Sequence, residues 1–542
     1  VRGLLSLAAA VGAGLLLRLW NLPGQILGGD ELHAVRAAVA KTVPEILTTY
    51  ALTDSCLPLT ALYRWLLDHG VTISELTLRL PSLLCGAVAL FVFPWAFAGK
   101  VPRPAVRIYA WLGALAPVLV LYSRIARSYL PMVLCGFLAV MAFEAWWRTR
   151  SWRWGGAYVL CGALAIWLHL GAGPLVAAPF LFAGGDLISR AGERWGRVRD
   201  LAVLGAALGL ACATFLLPAR ASLVELVAKK STAQGVPPAS AWWDVLRLQA
   251  GTGSAILAIL FWCAALAGLV LLLRDRPRLG AFTLTVAAGH LLGLLLLAPQ
   301  GMGHPIVLNR YLLPVLPFVL LWVACALGRL WTRRTAVIPL LFLVLLAGAG
   351  PFLRSDYRGG SFVHHNDFVD FVHPTATLPD GFLSGIYREL PPGPVLEAPW
   401  PAAWDFGRVF YIGQQIHGQR VLVSIPFDLP RRRGIAFRNE VPPDPAAILA
   451  SPARTVVVHL RLAWEEDRVQ AAGLPPSRRM RTKTRRDYRH AGEQLAARLA
   501  AAWGPPDRAD ASLRMWDLER VRRKSENGAA DDMMDGIQGG NQ

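Results

Sequence analysis

The sequence predicts a mainly α-helical, polytopic membrane bundle of about eleven spans, followed by an extracytoplasmic α/β domain. Three observations predict it. First, 54% of the 542 residues are hydrophobic and only 17% are charged, where a soluble domain carries about a quarter charged. Second, the apolar residues are bunched into runs of about 20 between Arg-rich breaks, the length a helix needs to cross a hydrocarbon core. Third, the composition changes after Arg354, where Pro-rich turns separate short strand-like runs. The net charge of +19 does not point to nucleic acid, because much of it is Arg in short loops, where a membrane accounts for it.

The first apolar run is Leu4 to Leu17, with Arg2 ahead of it. No small-residue cleavage site follows, which predicts an uncleaved first span. Residues 21–77 form a mostly polar loop holding two amphipathic helices, Asp30–Ala40 and Leu57–Leu67, suited to a membrane surface. Further apolar runs follow at roughly 78–98, 106–122, 129–147, 155–169, 171–188, 200–217, 254–273, 279–298, 311–330 and 335–353. Only His169 to Gly173 separates the fifth run from the sixth. Glycines within the runs suit close helix packing.

Alternate breaks are rich in Lys and Arg: Lys100, Arg103 and Arg107; Arg148, Arg150 and Arg153; Arg190, Arg194, Arg197 and Arg199; Arg274, Arg276 and Arg278; Arg329, Arg333 and Arg334. The positive-inside rule places these in the cytoplasm. The start is then inside, the loop carrying Asp30 and Glu31 is outside, and an odd span number puts everything after Arg354 outside as well. Six of the seven cysteines fall inside apolar runs and only Cys56 is in a loop. No pair has metal-ligand or redox spacing, so they read as small apolar residues.

Residues 355–523 read as a small α/β domain, with strands at Val395–Ala398, Val421–Ile425 and Thr455–His459 and a helix around Glu493–Trp503. Residues 524–542 read as a disordered tail. The Arg478–Arg489 cluster reads as a solvated basic face or a contact to lipid phosphate.

The candidate site lies on the outer side. Asp30 and Glu31 are adjacent carboxylates after the chain break Gly28-Gly29. As structural residues they would cap a helix and complement its dipole. Outer Arg124, Arg127 and Arg310 run against the charge bias, and His169 stands at another outer turn. Each Arg alone would snorkel to lipid phosphates; together with the carboxylates they suggest one shared site.

Four motifs extend this reading. Arg-x-Trp-Asn-Leu leads into Gly-Asp-Glu in the first outer loop, and Leu78-Arg79-Leu80-Pro81-Ser82 opens the second span. Tyr-Ser-Arg-x-x-Arg-x-Tyr occupies 122–129, and Asn309-Arg310-Tyr311-Leu312-Leu313-Pro314 opens a late span. In their order and sidedness these resemble the GT-C superfamily of membrane glycosyltransferases. The similarity is to the bacterial branch with protein O-mannosyltransferase-like enzymes and the aminoarabinose transferase of lipid A. Gly393-Pro394-Val395-Leu396-Glu397 and His417-Gly418 resemble the outer domains of the same enzymes. Ile125 stands where many relatives are acidic, and Asp54–Leu59 replaces their usual His-Pro-Pro.

The resemblance implies a transmembrane module over 1–354 in a bacterial cytoplasmic membrane, with the catalytic loop at 21–77. It implies that Tyr129, Asn309 and Tyr311 bind substrate, and that transfer inverts the anomeric centre. Nucleotide sugars are absent outside the cytoplasm, so the donor there is a polyprenyl-phosphate-linked sugar. Its leaving phosphate needs cations, for which Arg124, Arg127 and Arg310 are candidates with His169 near them. The acceptor, a protein, lipid or glycan hydroxyl, needs a base, for which Asp30 is the candidate. Glu31 orients the acceptor, or the pair holds a divalent cation such as Mg or Mn. Two other classes fit less well. A transporter or flippase of a lipid-linked substrate favours midplane ionisable groups and repeated halves; a non-catalytic scaffold leaves Asp30 only a capping role.

Overall fold

The structure is a computed structural model. It describes residues 2–20, 22, 31, 34, 37–38, 41–50, 56–71, 75–188, 194–230, 237–297, 302–303, 305–332, 334–348, 385–398, 421–422, 444–460 and 490–527. The chain divides into two compact units, one of 1–22, 33–69 and 76–373, the other of 23–32, 70–75 and 374–542.

The first unit is helical. Its elements are α1 (Arg2–Leu19), α2 (Val43–Leu47), α3 (Leu57–Asp68), α4 (Glu75–Phe97), α5 (Arg103–Leu115), α6 (Pro117–Ser123) and α7 (Tyr129–Thr149). Then come α8 (Trp152–Leu168), α9 (Gly173–Ile188), α10 (Arg194–Leu216), α11 (Arg220–Lys230) and α12 (Ala239–Ala250). The last are α13 (Ala255–Asp275), α14 (Pro277–Leu297), α15 (Pro305–Leu312), α16 (Leu316–Arg329) and α17 (Val337–Gly348). Each of the expected apolar runs is largely helical over its described residues. Among the described residues, however, only 7 helices are long and apolar enough to cross a membrane, or 8 if a bent pair is one span. The bent pair is α5 with α6, which meet at 54°. Pro117 sits at that joint, where it lacks a donor and its ring clashes with the preceding turn. The apolar stretches Leu5–Leu19 of α1 and Val337–Ala347 of α17 fall short of that length among the described residues. The surface amphipathic helix expected at Leu57–Leu67 is α3, and Glu31, Ala34, Ala37 and Ala38 of the earlier one are helical.

Tyr129–Thr149 and Pro305–Arg329 are the most buried of the spans. Phe137 of α7 packs against Phe93 of α4 at 4.6 Å and Phe318 of α16 at 5.7 Å between ring centroids. Gly268 of α13 permits an approach to α16 so close that a Cβ would fall 1.7 Å from the Trp322 carbonyl oxygen. That is the small-residue contact expected of helices packing in lipid. The peripheral helices instead expose large apolar side chains, among them Leu160, Leu210, Ile256, Leu266 and Leu296.

The second unit is α/β. Its strands are β1 (Val395–Ala398), β2 (Val421–Leu422), β3 (Thr455–His459), β4 (Arg508–Ala509) and β5 (Leu513–Asp517), and its helices include α18 (Pro445–Leu449) and α19 (Ala491–Trp503). The sheet order is β2-β1-β3-β5-β4. β1 runs parallel to β2 and β3, and β5 runs antiparallel to β3 and β4. Both β1 and β3 are buried along their whole length, which accounts for the consecutive apolar residues Val395-Leu396 and Val456–Val458. Val456, Val458, Trp516, Leu495 and Leu499 form the core. The expected strands at 395 and 455 and the helix near 493 are present; β4 and β5 carry no sequence signal that the reading used. Residues 518–527 are helical, so 524–527 do not belong to the expected tail, and 528–542 lie outside the described residues.

Candidate functional site

The structure gathers four of the expected residues at the ends of three helices of the first unit. Tyr129 opens α7. His169 ends α8, where its Nδ1 accepts a 3.1 Å hydrogen bond from the Gly171 amide and so caps the turn Leu170–Ala172. The neutral ring then carries its proton on Nε2. Arg310 and Tyr311 lie in α15. The Arg310 guanidinium stands over the Tyr129 ring, 5.2 Å from its centroid. The His169 ring lies 5.7 Å from Tyr129 and 5.8 Å from Tyr311. Tyr122 backs Tyr129 at 5.1 Å.

Gly171 is part of this arrangement. A Cβ there would sit 2.9 Å from His169 Nδ1 and 3.0 Å from Tyr311 Cδ1, so only glycine lets the two rings approach. Arg310, Tyr311 and His169 are half-buried, so a ligand can reach them. A guanidinium stacked on a ring still has its donors in the plane, the geometry that grips a phosphate. Asn309 is buried beside them, and its Oδ1 has no hydrogen-bond partner among the described residues.

The other expected cations differ. Arg124 is 1% exposed. Its Nη1 donates to the carbonyls of Leu17, Arg18 and Trp20 at 3.0, 3.1 and 2.7 Å, capping the C-terminal end of α1. Helix ends leave such carbonyls orphaned, and a cation there also suits the dipole. Arg124 is therefore built into the bundle. Arg127 is half-buried in the turn between α6 and α7, where its carbonyl accepts from Ser82 Oγ at 2.7 Å. Glu31 is buried within a helical stretch. Asp30, Gly28-Gly29, His417-Gly418 and the Arg478–Arg489 cluster lie outside the described residues.

Sequence reasoning missed three polar groups in the first unit. Arg18 is fully buried and reaches Ser123 Oγ at 3.0 Å and the Gly14 carbonyl at 3.0 Å. His290, inside the apolar run of α14, bonds the Tyr311 carbonyl through Nε2 at 2.7 Å. Gln249 of α12 bonds the Leu312 carbonyl at 3.4 Å. An ionisable residue amid apolar sequence was the available signal for His290. In the second unit, Glu397 of β1 and His459 of β3 are buried and meet at 2.7 Å. The Tyr387 hydroxyl lies 2.9 Å from each of them. The parallel register pairing Ala398 with Val458 brings the two strands' polar residues together.

All seven cysteines are free. Among the described residues, no group of three or more His, Cys, Asp or Glu is placed to hold a metal ion. Of the two carboxylates expected to hold a cation, only Glu31 lies among the described residues.

These features define a multi-pass helical membrane protein with an attached α/β unit. Solved structures similar to it include the oligosaccharyltransferase of Archaeoglobus fulgidus in its apo form. That match has 13% identity over 84% of this chain and 69% of that one, with a TM-score of 0.45. Another is the archaeal oligosaccharyltransferase AglB from Archaeoglobus fulgidus in complex with an inhibitory peptide and a dolichol-phosphate. It has 12% identity over 85% and 69%, with a TM-score of 0.40. A third, the Archaeoglobus fulgidus enzyme in complex with Zn and sulfate, has 14% identity over 87% and 70%, with a TM-score of 0.43. No protein-family model and no curated protein sequence matches the chain.

Proposed function

We propose that this protein is an integral membrane glycosyltransferase. It moves a sugar from a polyprenyl-phosphate-linked donor to an extracytoplasmic acceptor hydroxyl. The observation that carries the reading is the half-buried Arg310 stacked on Tyr129 beside His169 and Tyr311. An exposed cation at a span end needs no such packing to snorkel. A cation fixed on an aromatic face, with a second donor group beside it, suits a ligand that brings negative charge to the membrane interface.

In the proposed step the acceptor oxygen attacks the anomeric carbon as the bond from that carbon to the donor phosphate breaks. The acceptor proton passes to the Asp30 carboxylate, and the polyprenyl phosphate leaves with the bonding pair. Attack opposite the phosphate inverts the centre. Arg310, Arg127 and His169 stabilise the charge that grows on the leaving phosphate. Tyr129, Tyr311 and Asn309 shape the pocket around it. Glu31 orients the acceptor. In the alternative arrangement Asp30 and Glu31 would together hold a divalent cation, Mg or Mn, which would supply positive charge beside the phosphate. Arg124 is left out of the phosphate set, because its Nη1 caps α1.

The test is transfer of a labelled sugar from a polyprenyl-phosphate donor in vesicles. Asp30→Asn keeps the capping ability and removes the base, so transfer is expected to fall by about 10² or more at unchanged expression. Arg310→Gln is expected to weaken donor use more than acceptor use. A chelator that changes the wild-type rate would support the cation. Full transfer by Asp30→Asn removes that residue from the mechanism, and donor movement without bond cleavage would favour the transporter class.

A further inference from the structure

The span Pro305–Arg329 is interrupted where it matters. α15 ends at Leu312, a 3-10 turn covers Leu313–Val315, and α16 resumes at Leu316. Pro314 and Pro317 cause the break, since neither has an amide to bond the carbonyl four residues earlier. Those carbonyls belong to Arg310 and Leu313, so helical hydrogen bonding is lost just beyond the candidate site. Inside a membrane, backbone groups freed in this way need partners from the surrounding protein.

The Leu313 carbonyl accepts from the Leu316 amide in the 3-10 turn, and the neighbouring carbonyls of Tyr311 and Leu312 are held by two side chains from other helices. His290 of α14 is 0% exposed and its Nε2 lies 2.7 Å from the Tyr311 carbonyl. Gln249 of α12 donates to the Leu312 carbonyl at 3.4 Å. His290 Nδ1 has no hydrogen-bond partner among the described residues. That orphan atom is informative. An apolar side chain of similar size would fill the space without a buried unsatisfied nitrogen, so what the histidine contributes here is its Nε2–H. A neutral imidazole donating one hydrogen bond is a strut, not a proton relay.

We infer that His290, assisted by Gln249, is a positioning residue: it holds the broken end of α15 so that Arg310 and Tyr311 stand against Tyr129 and His169 to receive the donor phosphate. This rests on the donor reading of Arg310 for its function, and on the backbone contacts alone for its geometry. Neither residue touches the reacting atoms.

Two measurements separate these levels. Binding of a polyprenyl monophosphate to the full-length protein in nanodiscs reads the phosphate site. His290→Leu is expected to weaken binding about 10-fold, the scale of one buried hydrogen bond. His290→Gln, which keeps a donor, should recover to within about 3-fold. In an Arg310→Gln background, His290→Leu should add little, because both changes remove the same interaction. Hydrogen exchange of the amides at 310–316 reads the strut without any ligand, and should be faster in His290→Leu than in wild type. Wild-type binding by His290→Leu, or losses that simply add in the double variant, overturns the positioning role. Unchanged exchange overturns it whatever the lipid does. A wild type that binds no polyprenyl phosphate while His290→Leu still speeds exchange removes the donor reading and leaves the strut standing.

Discussion

Replacing Arg124 separates a structural cation from a phosphate ligand. Arg124→Gln removes a charged donor from the carbonyls of Leu17, Arg18 and Trp20. One Nη1 carries two protons, so two of these bonds can be strong at once and the third is shared. Hydrogen bonds to a charged group contribute about 1.5–3 kcal/mol each. The loss is therefore about 3–6 kcal/mol, with part of it the cost of leaving buried carbonyls unsatisfied. Gln has a shorter reach and no charge, so it recovers little. Arg310→Gln, by contrast, gives up a cation–π contact of about 0.5–2 kcal/mol at a half-buried position. Thermal unfolding in detergent should show Arg124→Gln melting lower by an amount on the order of 5–10 °C, with Arg310→Gln near wild type. Polyprenyl phosphate binding by the folded fraction should show the opposite order. A normal melting temperature in Arg124→Gln together with lost lipid binding would refute the capping argument and return Arg124 to the phosphate set.

Two further expectations follow from the same geometry. Gly171→Ala pushes a methyl into His169 and Tyr311; overpacking costs about 1–3 kcal/mol, and donor KM should rise while the protein still purifies as a single species. Glu397→Ala leaves buried His459 and Tyr387 without their shared acceptor, so the second unit should lose about 3–5 kcal/mol, measured as faster proteolysis of that unit with the membrane helices intact.

The sequence by itself determined the class of this protein. Runs of apolar residues set by bilayer thickness, with Arg-rich breaks between them, marked the long helices of the bundle, because span length and loop charge are local properties; the short helices α2, α11 and α12 carried no such run. Strands β1 and β3 were legible for a similar reason: a strand buried on both faces is mostly apolar, as Val395-Leu396 and Val456–Val458 are. Even the separation of α8 from α9 was visible in the five residues around His169. What the sequence could not separate was one arginine from another. Arg124 and Arg310 both stand on the expected outer side, yet one is sealed against the end of α1 and the other lies half-open on a tyrosine. That difference depends on which helix end each side chain meets, a contact across more than a hundred residues for Arg124. The same holds for His290, which reads as one polar residue in an apolar run until the break at Pro314 is folded against it. Only the tertiary structure decides such roles, because a guanidinium or an imidazole takes its function from the carbonyls and rings that packing brings within a few ångströms.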